Sequence, residues 1–239
     1  MKNLAKSGNS ILTTNGLNMP NIFPTISYEK IHKIVVLTQA NHLLYDHYAG
    51  AWNALAYRFK AAIDHGDAFI SSAETSGSTS PPDERYLQEK VLFDFFSAGF
   101  SAFESTFYGL HTIGAFISPA IFPLSSTKDQ QLVSPTRTRD LYTRAFPTDP
   151  ILNTFNTLFR DVKYQKLRDT RNILTHRAAP GRRIYVSIGS GKAPMTEWKL
   201  NNEAFEPSLI ASSKNELSRL LFYLLENSAK FVKKHLKTL

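Results

Sequence analysis

Ser105 to Leu124 is a run of 20 residues without Asp, Glu, Lys or Arg. That length would cross a bilayer. Yet Ser105, Thr106, His111, Thr112 and Ser118 interrupt its apolar character, and Pro119 and Pro123 close it. Asp94 and Glu104 sit just upstream in the same helical pattern. The run therefore reads as the central, heavily buried helix of a bundle rather than a membrane span. A helix that is apolar on all sides must be packed among others, so the rest of the chain has to supply them.

It does so at three- and four-residue steps. From Ser27 to about His65, the residues Ile31, Val35, Leu44, Tyr48, Trp52, Leu55, Phe59 and Ile63 mark one long amphipathic helix, with Gly66 as its stop. Residues 71–82 are Ser-, Thr- and Pro-rich and read as a flexible linker. A second helix is predicted from about Asp83 to Ile117, and 120–148 as connection. Asp149 before Pro150 starts a third helix, with a capping carboxylate and then proline at the first helical position. Its pattern weakens near Lys163, which predicts a break before Tyr164. A shorter helix follows and ends by Ala179-Pro180-Gly181. Arg183–Ile188 and Thr196–Leu200 read as two strands around Gly189-Ser190-Gly191. Ser213 with Glu216 reads as a capping box for a last helix to about Leu236. The expected fold is all-α: a bundle of four main helices with a small β-hairpin inserted before the last. Residues 1–26 are expected as a flexible arm and 27–239 as a single domain.

The 239 residues include no cysteine, which removes disulfides and thiolate zinc sites. Nothing apolar follows Met1-Lys2-Asn3-Leu4-Ala5-Lys6, so no secretory leader is expected and the cytoplasm is the expected compartment. The formal charge is +8, which attracts polyanions. Much of it is local: eight Lys or Arg lie between Arg160 and Arg183 against Asp161 and Asp169. A second basic cluster, Lys230, Lys233, Lys234 and Lys237, closes the chain.

The first cluster surrounds Lys166-Leu167-Arg168-Asp169-Thr170-Arg171-Asn172-Ile173-Leu174-Thr175-His176-Arg177. Histidine can take or give a proton at a ribose hydroxyl near neutral pH. Arginine stays charged and offers a planar fork to a phosphate gaining charge. Residues five apart on an α-helix point about 140° apart, whereas residues four apart share a face. Asn172 and His176 can therefore point together. Arg171 joins them only by its reach, or if the helix ends near Thr175.

Arg171, Asn172 and His176 resemble the signature of the HEPN superfamily: an arginine, usually a polar residue after it, and a histidine four to six residues on. The lead-in from Tyr164 to Leu167 and the trailing Arg177 are similar as well. The resemblance implies a helical bundle covering roughly 27–235 and a metal-independent endoribonuclease that leaves a 2′,3′-cyclic phosphate. Arg171, His176 and Asn172 are then the expected catalytic residues. Arg168, Arg177, Lys166 and Tyr164 are the expected substrate contacts, and Glu104 is the acidic residue expected behind the motif. The family further implies a homodimer with a composite cleft, RNA as substrate, and a toxin or antiviral role with an antitoxin protein as a partner. Other members only bind RNA or nucleotides, or scaffold; that is the alternative here. No cofactor or metal is expected.

Other features carry less. His42 and Asp46 could share a metal, but no third ligand stands in register. Gly189-Ser190-Gly191-Lys192 suggests a phosphate loop, but Val186 and Ala193 depart from the pattern and a hairpin turn explains it better. Tyr45, Tyr48, Trp52 and Tyr57 could stack bases; aromatics at helical spacing more often form core. Glu104, Tyr108 and His111 share a helical face, either behind the motif or as a polar patch in the core.

Overall fold

The computed structural model describes residues 16–76, 80–177, 179–185, 195–200 and 203–236. Among these the chain is mostly helical, with eight α-helices and one small antiparallel sheet before the last helix. In order they are α1 (Thr25–Gln39), α2 (Tyr45–Ser76), α3 (Pro82–Ile117), α4 (Thr127–Gln131), α5 (Pro135–Ala145), α6 (Ile151–Arg160) and α7 (Val162–His176). Then come β1 (Gly181–Tyr185), β2 (Met195–Leu200), β3 (Glu203–Ala204) and α8 (Pro207–His235). No described helix is long and apolar enough to cross a membrane. The chain divides into two compact units. Unit 1 is Met1–Lys60, Ser101–Phe159 and Ser218–Leu239; unit 2 is Ala61–Phe100 and Arg160–Leu217.

Unit 1 has an aromatic core. Tyr28 and Trp52 stack with centroids 5.2 Å apart and bond reciprocally, the Tyr28 hydroxyl donating to the Trp52 carbonyl and the Trp52 indole to the Tyr28 carbonyl. Tyr48 and Trp52 are fully buried, so they are core and not a base-stacking platform; Tyr57 is exposed. The residues just before α1 are part of this packing. Phe23 is buried against Tyr28 and Phe59, and Met19 is buried as well.

The single helix expected from Ser27 to His65 is broken at 40–44. There the Leu44 amide donates to the His42 ring nitrogen, and the Tyr45 amide bonds the His42 carbonyl. Residues 120–148 are more than connection. Ser126 and Asp129 form a capping box for α4, and Ser134 caps α5 with Pro135 at its first position. Asp149 caps α6 as expected, accepting from the Ile151 amide at 3.0 Å. Its other oxygen accepts from Lys234 and His235 of α8. Burial raises its pKa, but those hydrogen bonds outweigh it and hold the carboxyl below the ordinary range.

In unit 2, Gly66 does not stop α2. A Cβ there would lie 3.0 Å from Lys214 Cδ and 3.2 Å from Phe95, so the glycine serves close packing. Helix continues to Ser76, which places the first half of the expected linker in α2; residues 77–79 lie outside the described residues. The break before Tyr164 falls at Asp161, whose side chain accepts from the Lys163 and Tyr164 amides. The sheet has order β1-β2-β3, one strand more than the hairpin expected. The Gly189–Gly191 turn lies outside the described residues. Arg182 is paired with Trp198 across β1 and β2, and its guanidinium lies 4.1 Å over the indole. Trp198 in turn packs on Phe69 and Phe205. The last helix begins at Pro207, not at Ser213, because proline at the first helical position needs no amide partner.

Candidate nucleic-acid interface on α7

Helix α7 lies in unit 2 and buries a narrow stripe. Tyr164 is 1% exposed and Leu167 6%. Arg171 is the next position on that stripe, seven residues after Tyr164 and four after Leu167, so helical geometry turns it the same way. Its guanidinium carbon sits 4.5 Å from the centre of the Phe100 ring, and that ring also packs on Tyr164. A cation over an aromatic face is attracted by the ring quadrupole. Arg171 is half-buried and held to the body of unit 2.

His176 is the last helical residue and is exposed. The helix ends at His176, one residue past Thr175, with Arg177 as its C-cap. The Arg171 and His176 side chains leave the axis about 140° apart. Asn172 and His176, four apart, do share a face. Arg168, four residues before Asn172, extends that face by a further turn. Arg168 Nε donates to Asp169 at 2.9 Å, and its side chain remains 43% exposed. Arg177 is exposed at the C-cap, its amide bonded to the Ile173 carbonyl at 2.9 Å. The structure thus places Arg168, Asn172 and His176 in one polar stripe, with Arg177 at its end.

Two expected contacts, Tyr164 and Lys166, are placed differently, and Glu104 falls in the other unit. Tyr164 is sealed in the core and offers no surface to a ligand. Lys166 is ion-paired with Glu203 of β3. Glu104 belongs to unit 1, where it accepts from the Ser101 hydroxyl at 3.3 Å and lines a hollow with His47 and Arg58. The sequence already carried the signal for Arg168: residues eight apart straddle two turns and return to one face. In the C-terminal basic cluster, Lys234 is bonded to Asp149 and Lys230 to Glu226, so both have partners within unit 1. Lys237 lies outside the described residues. Among the described residues no group of three or more His, Asp or Glu is placed to hold a metal ion. His42, considered with Asp46 for that role, has one ring nitrogen engaged by the Leu44 amide.

No family model, no curated protein and no solved structure matches this chain.

Proposed function

We propose that the protein is a metal-independent endoribonuclease whose RNA-facing surface is the stripe Arg168, Asn172 and His176. The observation that carries this reading is the exposed His176 at the end of α7, with Asn172 one turn behind it on the same face. The surrounding surplus of Lys and Arg suits a polyanion. In this reading His176 takes the proton of a ribose 2′-hydroxyl. The 2′-oxygen bonds to the adjacent phosphorus while the bond to the 5′-oxygen breaks, and the leaving oxygen takes a proton from water. The products are a 2′,3′-cyclic phosphate and a 5′-hydroxyl. Asn172 orients the imidazole or a phosphate oxygen. Arg168 and Arg177 hold the backbone, and Arg171 supports the helix from its inner side. The resemblance to HEPN proteins supports this reading and adds a dimer with two facing motifs, a toxin-like role and a partner antitoxin.

A second reading is an RNA-binding module that does not cut. The seat of Arg171 on Phe100 favours it, because that guanidinium is then spent on packing. A labelled RNA incubated in EDTA separates the two. Cleavage to a cyclic phosphate, lowered about 10²–10⁴-fold in His176→Ala with RNA affinity retained, is the expected result. A stable, salt-sensitive complex without cleavage supports the binding module. Equal cleavage by wild type and His176→Ala overturns the mechanism.

A further inference from the structure

Unit 1 seals His111 of α3 in its core, where it is 1% exposed. Its Nε2 lies 3.2 Å from the Pro123 carbonyl oxygen. A carbonyl oxygen only accepts, so Nε2 carries the hydrogen, and the neutral ring keeps its lone pair on Nδ1. That Nδ1 is buried and has no hydrogen-bond partner among the described residues.

The bond to Pro123 closes the turn that follows α3. The Ser118 amide donates to the Gly114 carbonyl at 2.8 Å, and the Ile121 and Phe122 amides donate to the Ser118 carbonyl. Phe122 sets its ring edge-to-face with His111, centroids 5.4 Å apart, and with Tyr142, centroids 5.1 Å apart. Gly114 makes room for it, since a Cβ there would lie 2.7 Å from the Phe122 ring. The imidazole therefore touches both the backbone and the side-chain packing of the turn.

A proton on Nδ1 upsets this arrangement. It puts a charge in the core and leaves an N–H without an acceptor, and both are costly. Among the described residues, the charged groups acting on the ring are Arg137 of α5, which repels the added charge, and Asp129 of α4, which attracts it. Asp129 lies at the surface and already accepts from the Ser126 amide and hydroxyl, so solvent screens its pull. Tyr142, also on α5, stays neutral because burial raises its pKa. Burial is the largest effect on His111 and lowers its pKa, with the Pro123 hydrogen bond working against it. In an opened turn both ring nitrogens reach water, where histidine titrates near pH 6.5. The open form then binds the proton better than the closed one, so opening is favoured as pH falls below about 6.5. We propose that His111 is an acid-sensitive latch, which holds residues 118–124 against α3 near neutral pH and releases them in mild acid. The latch is independent of the RNA reading of α7.

The test is hydrogen exchange on the full chain at about pH 7.5 and about pH 5.5, corrected for the intrinsic rates. The opening constant is read at the Ser118, Ile121 and Phe122 amides, beside the amides of α6 as a control. In the wild type the turn should open about tenfold more readily at the lower pH, the effect of one linked proton, while α6 changes little. His111→Gln keeps an N–H for the Pro123 carbonyl but does not titrate, so its opening constant should be the same at both pH values. Proton NMR of the wild type, where no variant has to fold, should find the His111 ring titrating below the ordinary histidine value. An opening constant that does not move with pH in the wild type overturns the proposal. So does an equal rise in His111→Gln, an equal rise across α6, or a His111 ring that titrates at or above the ordinary value. RNA cleavage is not read in this experiment, so the two proposals fail separately.

Discussion

Asp149 in unit 1 and Arg171 and Arg182 in unit 2 are buried or half-buried charges held in different ways. Asp149 is held by directed hydrogen bonds, and the exposed Arg58 is held in the same way. Asp149 accepts from Lys234, His235 and the Ile151 amide, and Arg58 donates to the Ser101 carbonyl and the Ser105 hydroxyl. In unit 2 two guanidiniums sit over rings, Arg171 over Phe100 and Arg182 over Trp198, and Arg182 also donates to Gln88. A hydrogen-bonded charge is fixed in angle and depends on a specific partner atom. A stacked guanidinium contributes through its face and its apolar stem as well, and tolerates sliding. The same residue type therefore serves as an aimed donor at Arg58 and as donor and packing at once at Arg182. For function this means that an arginine near a histidine in sequence is not thereby part of a site.

The comparison is sharpest at Asp149. Asp149→Ala removes a helix cap and a buried acceptor together and should cost about 2–4 kcal/mol in urea unfolding. Its folded pKa is lowered. Its contribution is therefore complete above about pH 4 and is lost as pH falls through the lowered value. Asp149→Asn should flatten that acid limb, and an unchanged limb would show that the ion pairs contribute nothing.

At Arg182 the guanidinium also donates to the buried Gln88 at 2.7 Å. Arg182→Met should cost about 1–3 kcal/mol, since the stem still packs but the Gln88 oxygen loses its donor. A loss as large as that of Arg182→Ala would mean that the stem contributes no packing.

The third contrast lies within α7. Arg171→Ala should lower stability by about 1–2 kcal/mol, with RNA affinity nearly unchanged. Arg168→Ala should do the reverse, weakening RNA binding and flattening its salt dependence with stability within about 0.5 kcal/mol. The opposite pattern in filter binding and thermal melts would return Arg171 to the RNA surface. The smallest expected effect is at Gly50. Gly50→Ala should stabilise by about 0.5–1 kcal/mol, because the added methyl meets open space in a helix. A destabilised Gly50→Ala would mean that the hollow it lines with His47 and Arg58 does not admit a methyl group.

Much of the helical layout was legible from residue order because it rests on local physics. The span of α3, the Asp149 cap, the break at Asp161 and the strands ahead of the last helix all follow from capping, periodicity and proline placement. Two helices in 120–148 carry ordinary start signals as well, Ser126 with Asp129 and Ser134 before Pro135. The direction of Arg171 was also within reach, since it continues the stripe of Tyr164 and Leu167. Other features could not be read along the chain. Gly66 resembles a helix stop, and only the closeness of Lys214 and Phe95 shows that it is a packing glycine. The break at His42 depends on a side chain folding back onto the Leu44 amide. Tyr164 resembles a motif residue until its burial is seen. The hollow beside Gly50 needs two helices side by side before it exists at all. The order of residues settled where helices start, where they break and which chemical groups the chain owns, because those depend on neighbours within a turn. Which groups face a common space was decided by packing, because that depends on atoms brought together from distant parts of the chain.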